Sequence, residues 1–184
     1  LALPVLPGVA CHFLAFPGAA CPAWRCLLAA HSTLRCLQEL RLAGNQLSGK
    51  LPDAFVQLAA LEVLDLSRNA FEGGLPPTWQ GMAQLRQLKL AANKLSGALP
   101  ATHFGMTALQ VMDISGNEFS GSMPARWRLM ARRTNNLVLL NLANLLCMDA
   151  SSLAATKAAM EQGGRVQVTI TMKAGAKCAA RSGR

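Results

Sequence analysis

Cys21, Cys26, His31 and Cys36 recur at an even spacing, C-x4-C-x4-H-x4-C. Four such side chains suit tetrahedral zinc. A zinc knuckle reads C-x2-C-x4-H-x4-C, so only the second half agrees. The intervening LLAA also lacks the glycines that so tight a loop needs. The better reading is cysteines that close the end of a fold, with His31 on the surface. Neither a metal nor a cofactor is expected. Asp65 and Asp113 raise a second possibility, paired carboxylates for acid–base work. Lys89 stands midway between them, which reads as alternating charge. No G-x-G-x-x-G, G-x-x-x-x-G-K-[ST] or G-x-S-x-G occurs. No catalytic residue is assigned, and no enzymatic activity is expected.

The third cluster is basic: Arg126, Arg128, Arg132 and Arg133. Residues 1–125 hold eight Lys/Arg against seven Asp/Glu, whereas residues 126–184 hold ten against two. The net charge of +9 therefore belongs to the C-terminal third. Such a patch suits an acidic partner. Beyond Trp127 it lacks the interleaved aromatics of single-strand binders, so no nucleic acid is expected.

The element that must position these residues is a repeat. NQLSGKLP at 45–52 returns as NAFEGGLP, NKLSGALP and NEFSGSMP, each 24 residues after the last. Asn45, Asn69, Asn93 and Asn117 keep that interval, as do Pro52, Pro76, Pro100 and Pro124. Each unit reads L-x-x-L-x-L-x-x-N-x-L/F-x-G-x-L-P. Its L-x-L alternation is a short strand with leucines inward, which buries its face only by stacking on copies of itself. Each Asn amide can serve backbone groups that the turn leaves unpaired, giving a structural asparagine ladder. Gly49, Gly73, Gly97 and Gly121 permit tight backbone. Three residues after the prolines come Phe55, Trp79, His103 and Trp127, large enough to plug the convex side. His103 is thereby read as packing.

Four units over Leu37–Met130 resemble the leucine-rich repeat in its plant-type form, with a G-x-[IL]-P segment. The resemblance implies an α/β solenoid. A short parallel β-sheet would line its concave face, opposite an irregular convex side with short helical turns. LVLLNLANLL, with Leu137, Leu140, Leu142 and Asn144, is a degenerate fifth unit. The expected division is an apolar lead-in and N-terminal cap over 1–33, repeats over 34–146, and a C-terminal cap with a basic tail over 147–184. DASSLAATKAAMEQ suits a helix that Gly163 and Gly164 stop, and RVQVTITMK alternates as a half-buried strand.

CPAWRC is similar to a shortened plant N-terminal cap, C-x-x-W-x-G-V-x-C, and NLLCMD to the N-x-x-L-C-G ending of plant arrays. The second likeness implies Cys178 as the partner of Cys147 in an oxidising compartment. Six cysteines, all outside the four clear units, suit disulfide-closed caps. Fifteen pairings are possible, and reduced thiols in a cytosolic chain are the alternative. The chain begins at Leu1 and is read as a processed form or a fragment. Its first 21 residues read as a secretory remnant or as an apolar lead-in, interrupted by Pro4, Pro7 and Pro17. No apolar run reaches transmembrane length.

Residues between the inward leucines face the concave surface. One column holds Glu39, Val63, Gln87, Val111 and Leu139; the next holds Arg41, Asp65, Lys89, Asp113 and Asn141. The second alternates in sign, so its members can satisfy one another across strands or offer a contact strip. The resemblance implies a non-catalytic module that binds a protein or peptide there. It would be secreted or displayed at the cell surface, as in short receptor-kinase ectodomains and inhibitors of cell-wall polygalacturonases. The alternative is an intracellular scaffold in cytoskeletal or signalling assemblies. A free-thiol count on unreduced protein separates the two.

Overall fold

In every copy of the repeat the first leucine of L-x-L, or its methionine replacement, is sealed from water: Leu40, Leu64, Leu88, Met112 and Leu140. The residues on either side stay partly open, apart from Val63. That alternation builds the larger sheet of the computed structural model, which describes residues 11–14, 37–101, 106–125, 127, 139–142, 147–148, 150–161 and 167–169. Its strands are β1 (Cys11–Leu14), β2 (Leu37–Arg41), β4 (Val63–Asp65), β6 (Gln87–Lys89), β8 (Val111–Asp113), β10 (Leu139–Asn141) and β12 (Gln167–Thr169). They lie side by side in that order, and every pairing is parallel. Glu39 faces Val63, which faces Gln87, which faces Val111. The floor thus keeps the 24-residue interval of the sequence.

A second parallel sheet runs along one flank: β3 (Ser48–Lys50), β5 (Ala70–Gly73), β7 (Lys94–Gly97), β9 (Glu118–Gly121) and β11 (Cys147–Met148). Its first four strands pair at an interval of 22, not 24. Ser48 faces Ala70, Glu72 faces Lys94, and Ser96 faces Glu118. Equivalent residues are therefore displaced two positions along the strand. With about 4.8 Å between strands and about 3.4 Å per residue, they stand roughly 8 Å apart on this flank against about 4.8 Å on the floor.

Between the sheets stand the asparagines. The Asn69 amide donates to Leu42 O at 2.9 Å and Leu66 O at 3.0 Å, and its oxygen accepts from Leu47 N at 3.1 Å. Asn93 and Asn117 repeat the pattern one turn on. Each side chain thus ties its own turn to the preceding one. Asn45 bonds only within its own turn among the described residues, to Leu42 O and Ala43 O.

The residue before each asparagine is left-handed. Gly44, Arg68, Ala92 and Gly116 have φ of 71°, 55°, 55° and 63°. Nothing in the repeat pattern announces this, because glycine fills only two of the four positions. A side chain in this conformation costs about 1 kcal/mol or more. Ala92→Gly is expected to raise stability by about 1 kcal/mol, and Gly116→Ala to lower it by a similar amount. The added methyl at 116 meets only ordinary contacts with Ala92, so backbone conformation alone is tested. Urea midpoints of the two variants check this.

The convex side carries 3₁₀ turns at Asp53–Gln57 and Pro77–Gly81, each entered from a proline with φ near −70°. Phe55, Trp79 and Trp127 are buried beneath this side, with the Phe55 and Trp79 ring centroids 5.8 Å apart. The indoles do more than fill space. Trp79 Nε1 donates to Pro52 O at 3.0 Å, and Trp127 Nε1 to Pro100 O at 2.9 Å. Beyond the repeats, helix α1 (Ala150–Glu161) buries Leu153, Thr156 and Met160. Ser152 Oγ accepts from Met123 N, anchoring the helix to the fourth unit. The chain then returns as β12 alongside β10.

Candidate binding face

The strands bring all ten concave residues onto one surface in two straight columns. Val63 faces Glu39 and Gln87, and Leu139 faces Val111; Asp65 faces Arg41 and Lys89, and Asn141 faces Asp113. Register carries both columns past the repeats. On β1, His12 pairs with Glu39 and Leu14 with Arg41; on β12, Gln167 pairs with Leu139 and Thr169 with Asn141. The apolar lead-in therefore supplies a strand that no L-x-L signal announces. Its partner requirement is met by the otherwise bare edge of β2.

The charges of the second column do not pair across strands as their alternation invites. Arg41 turns back along its own strand to Glu39, Nε to Oε2 at 3.0 Å. Arg86 pairs with Glu62 at 3.3 Å on the rim. Asp65 Oδ1 accepts from Ser67 N at 3.1 Å. Asp113 Oδ1 accepts from Ser115 N at 3.0 Å and from Ser115 Oγ at 2.7 Å. These are local turns in which a short acid side chain serves the backbone two residues on. The recurring D-x-S at 65–67 and 113–115 was the available signal for them. Lys89 makes no ion pair among the described residues.

The two halves of the face differ. At the N-terminal half Glu39 and Arg41 are engaged with each other, and Val63 is 7% exposed, leaving little of it to touch. At the C-terminal half Val111 and Leu139 are neighbours and both half-open, beside Asp113 and Asn141. Among the described residues no cluster of three or more His, Cys, Asp or Glu is placed to hold a metal. Cys21, Cys26, His31, Cys36, His103 and the basic cluster Arg126, Arg128, Arg132 and Arg133 lie outside the described residues. So does Cys178. No described helix is long and apolar enough to cross a membrane.

Comparison with known proteins agrees with this architecture. The leucine-rich-repeat family model matches residues 30–71. No curated protein matches the sequence. The LRR ectodomain of the receptor kinase SOBIR1 from Arabidopsis thaliana superposes with a TM-score of 0.58 at 30% identity. The match covers 66% of this chain and 62% of that one. The LRR ectodomain of the Arabidopsis thaliana membrane receptor kinase GASSHO1/SCHENGEN3 was solved in complex with Casparian strip integrity factor 2. It gives 0.58 at 31% identity, covering 68% of this chain and 15% of that one. A plant ice-binding protein gives 0.57 at 31%, covering 63% and 36%. The chain thus spans less than two thirds of each of these structures. With its asparagine-stitched turns, two parallel sheets and G-x-L-P returns, the chain is a plant-type leucine-rich-repeat protein.

Proposed function

We propose that the chain is a non-catalytic recognition module that binds a protein or peptide on its concave face. The observation that carries this reading is the floor of the larger sheet. It holds two columns in strict register, half-open apart from Val63, with an apolar pair and a locked carboxylate at one end. A surface ordered in the free state loses little freedom on binding. The resemblance to a receptor ectodomain solved with a bound partner supports the same use. That kinship also favours a secreted or cell-surface setting, with the cysteines outside the four clear units closing the ends as disulfides.

The likeness to an ice-binding protein fits this chain less well. The flanking sheet exposes Lys50, Glu72, Lys94 and Glu118, and charged groups hold their own hydration water strongly.

The test is cross-linked capture from extracellular fluid, using the intact chain beside a variant carrying Val111→Ser and Leu139→Ser. Partners should be retained by the first and depleted at least tenfold with the second, while the two proteins melt alike. Equal retention by both would overturn the concave-face reading.

A further inference from the structure

We infer that the ligand of the concave face presents a lysine or arginine. Its aliphatic stem would lie on Val111 and Leu139 while its cation meets the Asp113 carboxylate. This rests on the recognition role proposed above and adds the chemistry of the ligand.

Three observations select this position. The first is the apolar shelf: Val111 and Leu139 are in-register neighbours on β8 and β10, both half-open. The second is distance. Asp113 follows Val111 by two residues on the same strand and face, about 6.6 Å away. That matches the reach of a basic side chain that lies flat and keeps its head at the polar end. The third is preorganisation. Ser115 holds Asp113 Oδ1 through both its backbone N–H and its hydroxyl, which leaves the carboxylate ordered before any ligand arrives. Its other oxygen makes no bond among the described residues.

The rest of the face excludes itself. Asp65 accepts from the Ser67 N–H alone, and its apolar neighbour Val63 is buried and offers no shelf. Glu39 and Glu62 already hold arginines. Lys89 faces Asp113 in register without an ion pair to it, so the carboxylate remains available. Lys89 also repels a second cation, which limits this register to one basic residue. An acidic ligand drawn to Lys89 would have two aspartates flanking it, and like charge disfavours that arrangement.

The experiment pans random twelve-residue peptides, displayed on phage, against the full chain. The recovered sequences are then synthesised for titration. Recovered peptides should share a Lys or Arg. Affinity should fall at least tenfold when that residue becomes norleucine, or when the chain carries Asp113→Asn. Lys89→Gln should leave affinity equal or higher. Asp113→Asn keeps an oxygen for Ser115, so its melting curve should match the parent and a lost contact is not confused with lost folding. Acidic peptides that depend on Lys89, or peptides indifferent to Asp113→Asn, would overturn the inference. Peptides without a basic residue that are still lost on Val111→Ser and Leu139→Ser would overturn it while leaving the concave-face reading intact. Binders insensitive to every floor variant, or no binders at all, would overturn both.

Discussion

Asn117→Ala should unfold the array at much lower denaturant than the parent. Asn117 is 2% exposed, and four hydrogen bonds converge on its amide. Leu90 O keeps a second donor in Asn93. Among the described side-chain bonds, Ile114 O and the Leu95 N–H lose their partner outright. A buried polar group without a partner costs about 1–3 kcal/mol, so two cost roughly 2–6 kcal/mol. Because stability in such arrays is a sum of rungs and their interfaces, the damage falls on the junction between two turns. Asn45→Ala should cost less than half as much, since Asn45 is half-open and accepts no N–H from a neighbouring turn among the described residues. Lys89→Ala on the half-open floor should stay within about 0.5 kcal/mol. Urea melts of the three variants give the ranking. Similar midpoints for all three would remove the asparagines from the account of stability.

Trp79→Ala is the second large effect. The side chain is 0% exposed, packs against Phe55 and donates to the carbonyl of Pro52 in the preceding turn. Truncating a buried tryptophan costs about 3–5 kcal/mol through lost burial and the cavity left behind. Trp79→Phe separates the two contributions: most of the ring remains, but the donor is gone. It should cost about 1 kcal/mol, the net worth of one hydrogen bond, because Pro52 O keeps the Phe55 N–H at 3.4 Å. If Trp79→Phe proved neutral in a denaturant melt, the indole would be filler and not a tie between turns.

Much of this architecture was legible because the repeat writes it four times. The interval between Asn45, Asn69, Asn93 and Asn117 announces a stack, and L-x-L announces which side is buried. The floor's columns follow from those two facts alone. What escaped has a common cause: it depends on geometry that residue type does not encode. Arg68 and Ala92 occupy left-handed backbone although neither residue advertises it. The sign alternation of Arg41, Asp65, Lys89 and Asp113 suggests cross-strand pairing, yet shorter-range partners won. Glu39 lies on Arg41's own strand, and serine N–H groups lie two residues from each aspartate. The burial of Val63 depends on its neighbours, not on its column. β1 lacks the motif altogether and is placed by the open edge of β2.

The slip of the flanking sheet has a consequence for any array built on this plan. Where successive coils stay equally close on both sides but slip lengthwise on one flank and not on the floor, each must swing relative to the one beneath it, like the thread of a corkscrew. Lengthening such a stack does not simply extend its trough; it steers the trough around the axis. The count of rungs therefore fixes the compass bearing from which a partner approaches, and a ligand that follows several rungs must wind as it goes.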